Sequence, residues 1–201
     1  MQSEITQEQW TAYIYDLYFG AGTPLENCIN RAYRDFNRTL HDFATQENGK
    51  SITDEAKKHL MREFEKLKTT PIKNQVDFDI WHQEQCLTIQ AIYTKNNYQS
   101  FHIGQAQKWI NMTFKYIFSY GEYDMPGYKN LYPFCHVPLD NILIQSLKDE
   151  GYSVPFQTCW SKISDYKTYL NVQKDFRNKF KDSHPLDTEF KLWNNARTKN
   201  S

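Results

Sequence analysis

Two side chains in this sequence, Lys108 and Asp140, have the types and local patterns that amine chemistry requires. Lys108 lies near the start of a predicted helix over 103–120, on the face next to its buried stripe. An ammonium there is disfavoured by loss of solvent and by the helix dipole, so such a lysine can act as a nucleophile at neutral pH. Asp140 follows Pro138 in the first turn of another predicted helix, where a carboxylate stays ionised. The pair predicts an amine nucleophile with an electrostatic partner.

Both residues also have simpler interpretations. Lys108 fits the solvent-exposed face of an amphipathic helix, and Asp140 fits a helix N-cap. His136 and Asp140 lie one helical turn apart, which would suit a hydrolase or nuclease. However, His136 precedes Pro138, and a lone histidine in that position is typical of a packed or capping side chain.

Patterns for metal or cofactor binding are weak in this chain. Asp77, Asp79 and His82 form one conceivable ligand set, but the two acids have a simpler interpretation as first-turn residues of a helix. The four cysteines are far apart and form no C-x-x-C or C-x-x-H pair, the set being Cys28, Cys86, Cys135 and Cys159. We therefore expect reduced thiols, no metal site and no cofactor.

Helical periodicity dominates the rest of the sequence, and no segment alternates as a strand does. The predicted helices cover 10–18, 24–48, 51–67, 78–93, 103–120, 138–147, 163–180 and 188–196. We therefore predict an all-α fold of about eight helices. Residues 1–201 should form one domain, either undivided or built from two helical lobes with a cleft between them. The aromatic-rich stretch 116–134 between two of these helices either lines a pocket or packs an irregular connection onto the helices.

The charge is balanced, with 24 Lys and Arg against 24 Asp and Glu, which removes the simplest argument for a nucleic-acid partner. The distribution is uneven, because 95–120 has three lysines and no acid whereas 121–160 has five acids and two lysines. A basic face is therefore compatible with the neutral total. No run approaches 18 apolar residues, and the first residues do not resemble a signal peptide. We therefore expect a cytoplasmic protein that does not contact a membrane and that is nucleoid-associated if it binds DNA. We also expect a monomer.

The pattern of a lysine on a long helix, an irregular connection and then Pro138-x-Asp140 resembles the helix-hairpin-helix superfamily of DNA glycosylases. The separation of 140 − 108 = 32 positions is more similar to the archaeal 8-oxoguanine DNA glycosylase branch, in which that connection is extended. A second segment, Pro185-Leu186-Asp-Thr-Glu189-Phe-Lys-Leu192-Trp193, resembles the Pro-Leu-x-x-Asp-x-x-Leu-Trp segment of the same branch. Together the two matches cover about residues 100–196.

The resemblance implies a glycosylase with AP lyase activity on an oxidised base, such as 8-oxoguanine, in double-stranded DNA. It implies that Lys108 attacks the sugar C1′, that Asp140 supports the positive charge, and that Glu189, Trp193 and Pro138 bind the base. Several features depart from the family pattern: Gly104 stands alone before Lys108 in place of a Gly-x-Gly hairpin, and the acid is Glu rather than Asp. The alternative is a non-catalytic helical module that binds DNA or protein.

Overall fold

The computed structural model describes residues 5–70, 72–156 and 159–198, and within them the fold is all-α, as predicted. Eight α-helices and four short 3-10 helices are present, with no strand in these ranges. The α-helices are α1 (Gln7–Phe19), α2 (Pro24–Phe36), α3 (Gly49–Leu67), α4 (Gln75–Lys95), α5 (Ile103–Tyr120), α6 (Asn141–Asp149), α7 (Tyr166–Lys179) and α8 (Pro185–Thr198). None of these helices is long and apolar enough to cross a bilayer.

Helix α5 forms the centre of the molecule. Sixteen of its eighteen residues are buried, and α2, α4, α7 and the 3-10 helix Trp160–Lys162 all contact it. A helix that is buried all round must find internal partners for its polar side chains, because an unpaired polar group in the core costs free energy. The polar side chains of α5 therefore determine which neighbouring segments can pack against this helix.

The connection between α4 and α5 brings the two helices together through a hairpin that contains no glycine. Asn97 adopts a left-handed backbone conformation (φ 67°), and the amides of Asn97 and Tyr98 donate to the carbonyls of Thr94 and Tyr93. These two bonds form a Schellman motif, in which asparagine replaces the usual glycine. The turn at the end of α4 therefore forms without a glycine.

Gly104 allows close packing of the first turn of α5 and does not form part of a hairpin turn. Its amide donates to the carbonyl of Ile163 (3.0 Å), and a Cβ at this position would lie 1.9 Å from the carbonyl oxygen of Trp160. The first turn of α5 thus packs directly on the backbone of the 160–163 segment, which only a residue without a side chain allows.

One sequence prediction about the N-terminal half was wrong. The predicted helix over 24–48 ends at Phe36 and continues as two 3-10 turns, because Thr39 bonds back to the Phe36 carbonyl and Asp42 adopts a left-handed conformation. The apolar residues whose spacing predicts helix α1 are largely exposed. These are Trp10, Tyr13, Ile14, Leu17 and Tyr18, each 47–64% exposed. Helix α1 is anchored through Phe19 and Tyr15 on its other side.

Candidate active site

The structure brings together the two residues that the sequence singled out for amine chemistry. Lys108 is buried on α5, and its Nζ lies 2.6 Å from Oδ2 of Asp140. Asp140 is the N-cap of α6, and its other oxygen, Oδ1, accepts from the backbone amide of Leu143 at 2.8 Å. One carboxylate therefore caps a helix and faces the lysine at the same time, so the two interpretations of Asp140 coexist.

Two details of the sequence prediction need correction. Helix α6 begins at Asn141, after Asp140, because the extended backbone and capping side chain of Asp140 end the irregular segment there. Pro138 therefore does not open the helix; it is buried and is not among the residues that line the cavity described below. Lys108 was expected to be a neutral amine with Asp140 as its electrostatic partner, and the structure places the two in an ion pair with Nζ 2.6 Å from Oδ2. Attack by Lys108 thus requires a proton acceptor.

Gln107, next to Lys108 on α5, holds the segment that carries Asp140. Its Nε2 donates to the carbonyls of Leu139 (3.1 Å) and Gly104 (2.8 Å), and its Oε1 accepts from the amide of Leu139 (3.2 Å). Both backbone groups of Leu139 are thus bonded to one buried side chain. Gln107 and Leu139, which adjoin Lys108 and Asp140 in the chain, are therefore bonded to each other. These bonds restrict the distance between Lys108 and Asp140.

His136 belongs to a buried polar network and has no contact with the carboxylate of Asp140. Its Nδ1 bonds the hydroxyl of Tyr169 (2.8 Å) and its Nε2 bonds Oδ1 of Asp79 (2.8 Å). Burial lowers the pKa of His136, with the hydrogen bond to Asp79 opposing that shift. Since both ring nitrogens are occupied in the core, the His136–Asp140 hydrolase hypothesis has no geometric support.

The Asp77, Asp79 and His82 set is likewise not a metal site. Asp77 bonds the amide of Lys73 (3.1 Å) at the start of α4, whereas the buried His82 bonds Asn111 and Tyr166 through its two nitrogens. No group of three or more His, Cys, Asp or Glu side chains in the described part of the chain could hold a metal ion. Burial lowers the pKa of His82 well below its ordinary value, which keeps this ring neutral.

A cavity of about 750 Å³ contains the Lys108–Asp140 pair. Its second ion pair is Lys115 with Glu189, in which Nζ lies 2.8 and 2.6 Å from the two carboxylate oxygens. Phe190 and Trp193 of α8 complete this side, with ring centroids 4.4 and 5.6 Å from the Lys115 ammonium. Glu189 and Trp193, which the family resemblance selected, thus lie in the same cavity as Lys108.

Lys115 was not among the predicted site residues, although the sequence contained a signal for it. It lies seven positions after Lys108, on the face of α5 that also carries Met112, and all three residues line the cavity. Burial raises the pKa of Glu189, and the adjacent Lys115 opposes that shift. The pair is therefore a polar patch held inside an apolar, aromatic wall.

The N-terminal segments, to which the sequence assigned no role, form another part of the cavity wall. Helix α1 contributes Ile14 and Tyr18, α2 contributes Arg31 and Asp35, and the 3-10 helix after α2 contributes Arg38. Sequence analysis could not identify these residues, because the local pattern of the N-terminal segments does not indicate that they pack near α5 and α8, which are distant in sequence.

The aromatic-rich stretch 116–134 serves mainly as packing. Of its described residues only Tyr116 and Ser119 line the cavity, and the Tyr116 hydroxyl donates to Asp35 at 2.6 Å. Further along, the buried Tyr128 donates to the carbonyl of Phe64 (3.1 Å) and Tyr132 donates to Asp187 (2.6 Å). The second of the two sequence interpretations therefore describes most of this segment.

Comparison with known proteins adds no family assignment. No protein-family model, curated protein or solved structure matches this chain significantly. The functional argument therefore depends on the geometry of the cavity and on the motifs that the sequence itself contains.

Proposed function

We propose that the protein is a DNA glycosylase with AP lyase activity that acts on an oxidised base, such as 8-oxoguanine, in double-stranded DNA. One observation carries this proposal: Lys108 and Asp140, 2.6 Å apart, share a cavity with Glu189 and Trp193. These residues lie on α5, at the N-cap of α6 and on α8, and Lys108 and Glu189 are 81 positions apart in sequence (189 − 108). A resemblance based on separate sequence motifs would not require them to meet, so their meeting supports the proposal.

A base inside a duplex cannot reach a buried amine, so the target nucleotide must be flipped into the cavity at a cost of a few kcal/mol. Stacking on Trp193 would return about 1 to 3 kcal/mol of this cost. Lys115 and Glu189 supply a donor and an acceptor for the polar edge of the base, because a carboxylate has about four lone-pair sites and the lysine occupies two. The pocket thus suits a flat ring with polar edges.

The bond changes follow from the ion pair. The Lys108 ammonium gives one proton to the departing base, its Nζ bonds to C1′, and the C1′–N bond to the base breaks. Asp140, whose position is held by the Gln107–Leu139 bonds, stabilises the positive charge that develops on the sugar. Sugar ring opening then transfers an amine proton to O4′ and leaves a protonated Schiff base.

A Schiff base at C1′ acidifies the protons on C2′. Loss of one of them expels the 3′ phosphate and breaks the strand, which is the lyase step. The glycosylase and lyase steps therefore share one intermediate, and reduction of its C=N bond traps it.

Borohydride trapping on duplexes that contain an oxidised base tests the proposal. Wild-type protein should form a covalent protein–DNA adduct, and Lys108→Gln should form none, because the amine is removed. Lys148→Gln is the matched control, since this exposed lysine lies near the end of α6, the helix that Asp140 caps. An adduct that persists in Lys108→Gln would assign the chemistry to another amine, and no adduct with any oxidised purine or pyrimidine would refute the proposal.

A non-catalytic binding module is the second candidate function. The observation that favours it is the exposed apolar stripe on α1, since large exposed apolar patches mark interaction sites. Such a module would bind duplex DNA or a protein without forming a borohydride adduct. Trapping and binding measured on the same preparation separate the two functions.

A further inference from the structure

Two arginines of the N-terminal half line the cavity that contains Lys108. Arg31 lies on α2 and Arg38 lies on the 3-10 helix Asn37–Thr39 that follows α2. Arg34, between them in sequence, is exposed and does not line it. The two arginines thus add positive charge to the part of the cavity wall that lies apart in sequence from α5 and α8.

The local contacts leave these guanidinium groups with few acceptors. Arg31 lies over the ring of Tyr18, 4.5 Å from its centroid, and its Nη2 donates to that hydroxyl at a long 3.3 Å. The Nε of Arg31 has no hydrogen-bond partner, and neither arginine forms an ion pair with any residue of the described ranges. A guanidinium has five donors in a planar fork, so most of this capacity is not used.

The other charged groups of the cavity are already engaged. The two lysines face Asp140 and Glu189 at 2.6 Å each. Asp35, the acid on the same face of α2, accepts from the Tyr116 hydroxyl at 2.6 Å. Among the described residues the cavity wall has four cations and three carboxylates, so one positive charge is in excess. The cations of the wall without an ion-pair partner among the described residues are Arg31 and Arg38.

We propose that Arg31 and Arg38 form an anion-binding subsite that holds a phosphate of the nucleotide whose base enters the cavity. The proposal rests on the proposed function, because a flipped nucleotide enters with its own phosphates. A phosphodiester supplies the acceptor oxygens that the guanidinium forks lack. Tyr18 positions Arg31 by stacking.

The salt dependence of duplex binding tests the subsite. The probe is a duplex with a tetrahydrofuran abasic analogue, which removes any contribution of the base. Each phosphate contact contributes about 0.9 to the slope of log K against log salt. Arg31→Gln and Arg38→Gln should each flatten the slope, together by about that amount, whereas the control Arg34→Gln should leave it unchanged.

Because Arg31 packs on Tyr18, Arg31→Gln could also loosen α1. Arg31→Lys retains the charge without the planar fork, and a lysine still binds phosphate as a point charge. This variant should keep most of the wild-type slope if charge is what matters. Equal slopes for wild type, Arg31→Gln and Arg38→Gln would overturn the proposal.

A second measurement separates failure of the subsite from failure of the proposed function. Binding of 2′-deoxyguanosine 5′-monophosphate is compared with binding of 2′-deoxyguanosine by calorimetry. Wild-type protein should prefer the phosphate-bearing ligand by about tenfold, and Arg31→Gln and Arg38→Gln should lose the preference. Equal binding of both ligands to wild type refutes the subsite even if trapping succeeds. A phosphate preference that depends on the arginines supports the subsite even if trapping fails.

Discussion

Replacing Glu189 by Leu would leave the Lys115 ammonium in the cavity wall without its counter-charge. The two side chains are only 10% and 5% exposed, and Nζ contacts both carboxylate oxygens within 2.8 Å. Removing one partner of such a buried pair costs about 3 to 5 kcal/mol, because the other charge remains desolvated. We therefore expect Glu189→Leu and Lys115→Met each to lower the free energy of unfolding by at least about 3 kcal/mol.

The double variant Lys115→Met with Glu189→Leu should be within about 1 kcal/mol of wild type, since apolar groups of similar volume replace a buried pair at little cost. The interaction energy of the cycle, obtained from urea unfolding, would then exceed that of ordinary neighbouring residues. The surface pair Lys50–Asp54 is the control, because its N–O distance is also 2.6 Å but Lys50 is 89% exposed. Asp54→Leu should cost less than about 1 kcal/mol through the lost ion pair. If Glu189→Leu costs no more than Asp54→Leu, or if the single changes simply add, the assignment of a desolvated pair is refuted.

Three further predictions concern the groups that hold the site. Burial lowers the pKa values of His82 and His136, so the stability they contribute is complete above pH 6.5 and is lost as the pH falls through their folded-state values. Urea unfolding should show a decrease of about 1.4 kcal/mol per pH unit for each ring, and side-chain NMR titrations near 6.5 in the folded protein would contradict this. Gly104→Ala should lower stability by about 2 to 3 kcal/mol, because its Cβ would meet the Trp160 carbonyl at 1.9 Å; a thermal melt unchanged from wild type would contradict the close approach. Gln107→Glu removes the donors to Leu139, so it should slow borohydride trapping more than it weakens duplex binding, and a wild-type trapping rate would show that the clamp is unnecessary.

Helix α5 illustrates what local sequence can determine. Its predicted bounds, 103–120, agree with the structure because the capping signals are local: Gln105 bonds the backbone of His102, and Gly121 ends the helix with φ 85°. Heptad spacing also places Lys108 and Lys115 on one face. The same spacing could not reveal that this face is buried, because burial depends on α1, α2 and α8.

Helix α1 illustrates the opposite case. Its periodic residues indicate an amphipathic helix, but periodicity alone does not state which partner covers the apolar face. In the structure the anchor consists of Phe19, which packs on Tyr120 with ring centroids 4.4 Å apart, and of Tyr15 at 4.7 Å from the same ring. Two aromatic residues four positions apart anchor the helix while five other residues remain exposed, because Tyr15 and Phe19 both pack on the ring of Tyr120.

The charge of the cavity wall, rather than the zero net charge of the chain, determines how the site interacts with an ion. Charges interact strongly over distances of about a Debye length, roughly 8 Å at physiological salt, so a ligand in the cavity responds to the cavity wall rather than to the whole chain. In that wall the two lysines and two of the acids neutralise each other in pairs. Arg31 and Arg38 then outnumber Asp35, whose carboxylate is bonded to Tyr116. A chain with zero net charge can therefore contain a cavity wall with an excess of positive charge.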